Sequence, residues 1–282
     1  MLLLFIFYKK AELFMDNEDK ESLKQAGEAK TKEYDEIITA ILVREEHILG
    51  LLKKDTTGAA YKRLVLVDEM IFLVTAYIAK YKISIKCLGG KNETILNEAR
   101  KTLYKVIIYL EEIVTDYIDA AYSEYEKRVD EIASITQKQR YYLIRKIGFI
   151  IWMVMEAYGE NTKWKWSFVE IMARYAVVAK NIVDLKFASE VSLNPRDENY
   201  DDVIFHLRLV KTLLSTSAED YRKKYEVATN DVADVKNAAK YLSALRRIHL
   251  ILGEDKLAED VKTKLKIWNK IADKDKKSKG KR

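Results

Sequence analysis

One proline, Pro195, and nine glycines are the only strong backbone punctuation in 282 residues. Ordinary usage is about 5% proline and 7% glycine. A sheet protein needs frequent turns, and turns draw on these two residues; long helices do not. The chain is therefore expected to be all-α.

Apolar periodicity supplies the helices. Ile38, Leu42, Leu49 and Leu52 recur near the 3.6-residue period and stripe one face of a first helix over 18–54. Asp55-Thr56-Thr57-Gly58 breaks it, and a second helix, apolar around most of its circumference, follows over 59–82. Cys87-Leu88-Gly89-Gly90-Lys91 is a linker, and Asn92 caps a third helix carrying Ile95, Ala99, Leu103, Val106, Leu110, Ile113, Tyr117 and Ala121. That pattern extends to Ile132, which would make a helix of about 60 Å at 1.5 Å per residue. Thr136 caps a fourth helix closed by Gly159, and Asn161-Thr162 opens a fifth that reaches about residue 190.

Asn194-Pro195-Arg196-Asp197 is the only proline-containing turn and marks a boundary. Beyond it, helices are expected over 200–215, 218–228, 232–252 and 255–272, the first two alternatively being one. The expected architecture is thus a multi-helix up-and-down core over 18–190 with a C-terminal helical-hairpin subdomain over 199–272, about eight or nine helices in all. Residues 1–17 and 273–282 are expected to lie outside it as disordered ends.

Hydrophobic residues make up 49% of the chain and charged residues 33%, a balance that excludes both disorder and a multispanning membrane protein. The opening Met1–Phe7 run is apolar, but a spanning helix needs about 20 such residues. Residues 1–14 read instead as the product of an upstream start, with Met15 opening an acidic stretch. The apolar runs 64–79 and 147–155 are cut or bounded by charge at Asp68-Glu69 and at Lys146 and Glu156, and are expected to be core helices. The lone Cys87 forbids an intrachain disulfide and fits a reducing, cytoplasmic setting with an inert thiol.

Catalytic, cofactor and metal residues are not expected. His47, His206 and His249 follow Arg44, Val203 and Arg246 at the position where a helical Glu-x-x-His site requires glutamate. No His-Glu-x-x-His, Cys-x-x-Cys or phosphate loop occurs. Carboxylates within apolar helices, Asp68, Glu69, Glu156 and Glu170, would be needed for acid-base work. The simpler expectation is solvation for the first pair and an i,i+4 ion pair between Glu170 and Arg174.

The densest aromatic-basic cluster is Thr162-Lys163-Trp164-Lys165-Trp166-Ser167-Phe168. Residues two apart on a helix face nearly opposite ways, so one tryptophan is expected in the core and the other at a contact surface. Residues 273–282 carry six basic and two acidic side chains, which accounts for +4 of the net charge of +6 and leaves the body near neutral. Lys163, Lys165, Lys276, Lys277, Lys279, Lys281 and Arg282 would be the contacts if the partner were RNA or single-stranded DNA.

In residues 239–268, Ala239, Leu242, Leu245, Leu252-Gly253 and Ala258 stand where a tetratricopeptide unit places its small, leucine, Leu-Gly and alanine positions. The segment resembles one such hairpin. It departs at Arg246 and Leu265 and lacks a closing proline near Lys270, and the signature is not repeated 34 residues earlier, at Glu219 and Lys224. The resemblance implies partner binding, with Tyr241, His249 and Trp268 as contact positions beside Trp164 and Trp166. Eighteen tyrosines, including Tyr117, Tyr122 and Tyr125, add amphipathic contact area suited to a protein partner or to self-association. An interaction or scaffold protein is the functional expectation, and a nucleic-acid binder the alternative.

Overall fold

A computed structural model describes the backbone of residues 17–279 and the side chains of 19–274. The expectations about residues 1–16, and those about the side chains of Lys276, Lys277, Lys279, Lys281 and Arg282, lie outside these. The described chain is 82% helix with no strand. Its helices are α1 (Asn17–Lys54), α2 (Ala59–Cys87), α3 (Glu93–Ile113), α4 (Tyr122–Asp130), α5 (Gln137–Tyr158), α6 (Lys165–Asn181), α7 (Leu185–Val191), α8 (Tyr200–Lys224), α9 (Val232–Ile251) and α10 (Asp255–Lys279).

The first three helices run up and down. Asp35 of α1 pairs with Lys80 of α2, and Arg44 with Glu69, so the two are antiparallel. Glu45, buried on α1, accepts from the Tyr109 hydroxyl at 2.5 Å and from Lys105 at 2.7 Å, which ties α1 to α3. On the other side of α2 lies α5. Tyr61 bonds Ser134, Asp68 pairs with Lys146, and the Tyr81 hydroxyl donates to Ala157 O, so α2 and α5 run parallel.

Local signals opened two helices where the sequence placed them. Asn92 accepts from the amides of Thr94 and Ile95, and Thr136 exchanges bonds with Gln139 in a capping box. Two expected long helices are interrupted instead. The third stops at Ile113, and the chain turns over 114–121 before re-entering helix. Its freed carbonyls are met from far away: Asn181 donates to Thr115 O at 2.9 Å and Tyr117 O at 3.3 Å, and Arg128 to Val114 O at 3.2 Å. The fifth stops at Asn181, and Asp184 caps the short α7 by accepting from the Phe187 amide.

Arg140 ties the break after α6 to the turn between α4 and α5. It is buried, and its guanidinium donates to Ile135 O at 3.0 Å, Ile182 O at 3.1 Å, Val129 O at 3.2 Å and Ile132 O at 3.0 Å. A five-donor planar fork suits four diverging carbonyls as no other side chain does.

Residues 200–224 form one helix, and a π-helical turn, Tyr225–Thr229, ends it. That is the continuous alternative of the sequence reading. Helices α9 and α10 make the expected hairpin, turning at Gly253, and α10 runs on to Lys279, past the boundary expected at 272. One connected cluster of buried side chains extends from Ile38 to Ala272, so the Pro195 turn bends the chain within a single core. At that junction His206 of α8 is fully buried between Gln137 of α5 and Ala179 of α6.

Helix α5 approaches α6 closely because residue 148 is glycine. The Tyr175 hydroxyl donates to Ile144 O at 2.8 Å, and a Cβ on Gly148 would stand 2.7 Å from the Tyr175 hydroxyl oxygen. Gly148→Ala is expected to destabilise by about 1–3 kcal/mol through overpacking. Urea denaturation reads it, and an unchanged midpoint would mean that the ring yields freely.

Candidate interaction surface

Helix α5 leaves a row of large aromatic side chains on its outer side. Ile144, Ile147, Ile150, Ile151 and Val154 are buried, whereas Tyr142, Arg145, Phe149 and Trp152, spaced three and four residues apart, share the opposite face. Phe149 is 58% exposed, Trp152 54% and Tyr142 45%. The Phe149 and Trp152 rings stack, with centroids 5.8 Å apart.

Neighbouring helices widen this row. The Asp68–Lys146 pair, at 3.3 Å, fixes α2 alongside α5, and one turn on from Asp68 stands Phe72, 52% exposed; one turn back stands Val65. On the other flank Tyr142 stacks on Tyr141, and Tyr141 on Phe205 of α8. Isolated exposed apolar residues need no explanation, but two stacked aromatic sets, Phe149 with Trp152 on α5 and Tyr142 with Tyr141 and Phe205 across α5 and α8, make a candidate contact surface.

Cations frame the rings. Arg145 lies over Tyr141 at 5.6 Å from the ring centroid, Arg208 over Phe205 at 5.8 Å, and Lys138 over Tyr142 at 6.0 Å. Lys146 is paired with Asp68, and Lys138 lies 3.9 Å from Asp202, but no carboxylate pairs with Arg145 or Arg208 among the described residues. The face is aromatic with a basic margin.

The residues singled out from sequence fall elsewhere. Trp164 packs against the core beneath the Arg100 guanidinium, 3.8 Å from its ring centroid, and its indole nitrogen is buried without a partner. Trp166 is half-buried, beside Lys165 at 5.3 Å. Both tryptophans are thus partly buried, Trp164 at the N-cap of α6 and Trp166 in its first turn. Lys163 lies near Glu93 at 3.6 Å and over Trp164.

Three other contact candidates are interior. Trp268, expected at a partner surface, is only 2% exposed, closed over by Arg222 and Lys264. Tyr241 is buried and stacks on Tyr221. His249 is buried and bonds Glu254, which also accepts from Lys211 at 2.7 Å. The apolar side of α9 and α10 faces α8, and these aromatics serve that packing. The exposure of Trp152 was not expected, because the apolar run 147–155 reads as core; the signal present was the Tyr142, Phe149, Trp152 spacing.

The carboxylates share no partner. Asp68 pairs with Lys146, Glu69 with Arg44, and Glu170 meets the Tyr104 hydroxyl at 3.5 Å. Arg174, expected to pair with Glu170, forks instead onto Glu111 of α3, with its Nε 2.9 Å from Oε1. A bidentate partner across a helix interface outcompetes a single contact along the helix. Among the described residues no group of His, Cys, Asp and Glu converges as a metal site would need, and no helix is long and apolar enough to cross a membrane.

A family model, that of the TP0443 family, matches residues 23–276. The match gives no support to a tetratricopeptide assignment for the last hairpin. No curated protein and no solved structure matches the chain.

Proposed function

The chain belongs to the TP0443 family, and from the surface it presents we propose that it is a protein-interaction or scaffold module that docks a partner on α5 and its flanks. The observation that carries this reading is the exposed Tyr142, Phe149 and Trp152 face of α5. Large, rigid aromatic rings are the commonest binding hot spots because they bury much area at little entropic cost. The unpaired Arg145 and Arg208 at its margin favour a partner whose apolar side chains are flanked by carboxylates. A reducing, cytoplasmic setting goes with this reading, supported by the single Cys87.

A second reading, binding of RNA or single-stranded DNA, draws on the same cations over the same rings. Salt separates the two.

The experiment is affinity capture from the native organism with the full chain, Trp152→Asp and Trp166→Ala. The wild type and Trp166→Ala are expected to retain the same protein at moderate salt, and Trp152→Asp to lose it. Trp152 is more than half exposed, so its replacement leaves the fold intact. Capture lost only with Trp166→Ala would move the interface, and capture of oligonucleotide with a steep salt dependence would replace the protein reading with the nucleic-acid one.

A further inference from the structure

The outer row of α5 carries charge as well as rings. Lys138, Tyr142, Arg145, Phe149, Trp152 and Glu156 recur at intervals of four and three residues and so share one face. Arg145 and Glu156 are both exposed, and neither makes an ion pair among the described residues. Glu156 stands in the last turn of α5 and Lys138 in the first, each at the end where the helix dipole disfavours its sign. Stabilising the helix itself does not account for this placement.

An antiparallel neighbour does. When a second α5 lies across the first in the opposite direction, with a two-fold axis between Phe149 and Trp152, Phe149 meets Trp152 of the second copy and Arg145 meets its Glu156. Symmetry repeats each contact. The pairing then has four rings at its centre, two from each copy, closed at both ends by opposite charges. Arg145 and Glu156 are eleven residues apart, about 16 Å of helix, a length over which two helices crossing at about 20° stay in contact.

Other arrangements lose this match. A parallel pairing sets Arg145 against Arg145 and Glu156 against Glu156. An antiparallel one displaced by a heptad sets Arg145 against Phe149 and leaves Glu156 to Lys138, which already lies 3.9 Å from Asp202.

We infer that the partner on α5 is a second copy of this chain, held in an isologous antiparallel α5–α5 contact by the Phe149 and Trp152 rings and two Arg145–Glu156 pairs. The inference rests on α5 being the docking face. The row is narrow, whereas a standard interface covers about 800 Å² on each side, so the dimer is reversible, with a dissociation constant in the micromolar range.

The test is sedimentation velocity of the full chain from about 1 to 200 µM at about 0.1 M salt, with Arg145→Glu, Glu156→Arg and Trp152→Asp variants. All three positions are exposed, so the fold is retained, and melting temperatures check it. The wild type is expected to pass from monomer to dimer across that range, and Trp152→Asp to stay monomeric. Each charge reversal puts two like-charge contacts into the homodimer and should weaken it at least about tenfold. An equimolar mixture of Arg145→Glu and Glu156→Arg chains forms opposite-charge pairs again, and should dimerise within about threefold of the wild type. A wild type monomeric up to about 200 µM, a dimer untouched by Trp152→Asp, or a mixture no better than its components would overturn the inference. A monomeric chain that still captures a different protein through Trp152 sinks the second copy and leaves the docking face standing. Capture and self-association both indifferent to Trp152 remove both.

Discussion

Replacing Arg140 with methionine is expected to cost about 3–5 kcal/mol, a large part of the stability of an ordinary domain. The buried guanidinium supplies hydrogen bonds to four carbonyls, at Val129, Ile132, Ile135 and Ile182, none of which a methionine can satisfy. A buried acceptor left alone costs about 1–3 kcal/mol, and partial relaxation or water entry makes the sum less than additive. The lost order should be local first. Amide exchange should accelerate in α4, in the 131–135 turn and around Ile182, and the urea midpoint should fall at an unchanged slope. Arg140→Lys should rescue little, because three tetrahedral donors on one nitrogen cannot reach carbonyls spread around a planar fork. A loss below about 1 kcal/mol for Arg140→Met would mean that water replaces the guanidinium at these carbonyls.

Acid should unfold the protein partly through His206. Its Nε2 donates to Ala179 O at 3.1 Å, and its Nδ1 accepts from the Gln137 amide nitrogen at 2.8 Å, so the neutral ring is bonded at both nitrogens. Burial, above all, holds its pKa down to about 4 from an ordinary 6.5, with the Arg140 charge acting in the same direction and the Ala179 carbonyl opposing it. Because the folded value lies below the unfolded one, stability is fully present above about pH 6.5 and falls as pH drops toward about 4. The folded ring resists a proton that the unfolded chain accepts. A shift of this size corresponds to about 3 kcal/mol lost across that window. Denaturation at a series of pH values reads it. His206→Gln should lower stability at neutral pH yet flatten the slope between about pH 6.5 and 5, above the range of ordinary carboxylates. An unchanged slope in that variant would assign the acid sensitivity to other groups.

These two residues also mark where sequence reading stops. Helix caps such as Asn92 and Thr136 with Gln139 were legible because each partner lies within three residues. The breaks at 114–121 and 182–184 were not. The apolar pattern runs straight through both, and the groups that make the irregular backbone tolerable, Asn181, Arg128 and Arg140, lie up to tens of residues away. Nothing local distinguishes a helix that continues from one that can afford to turn.

The exposure of the tryptophans was misread for a related reason. Trp268 stands in a polar, lysine-rich helix and is buried, because α8 lays Arg222 over it. Trp152 stands in an apparently continuous apolar helix and is exposed, because α2 and α8 flank α5 without covering it. Composition ranked the Lys-Trp-Lys-Trp cluster first, whereas exposure depends on which faces the other helices occupy. Periodicity could have flagged Tyr142, Phe149 and Trp152 as one row; only the packing shows that the row faces outward.

The most direct measurement is a dissociation constant for the captured partner, by titration at fixed salt, with Phe149→Ala, Trp152→Ala and Trp166→Ala variants whose melting temperatures match the wild type. Phe149→Ala and Trp152→Ala are each expected to weaken binding at least about thirtyfold, the hot-spot range of about 2 kcal/mol or more, and Trp166→Ala less than about threefold. Binding indifferent to Phe149 and Trp152 but lost with Trp166→Ala would contradict an interface on α5.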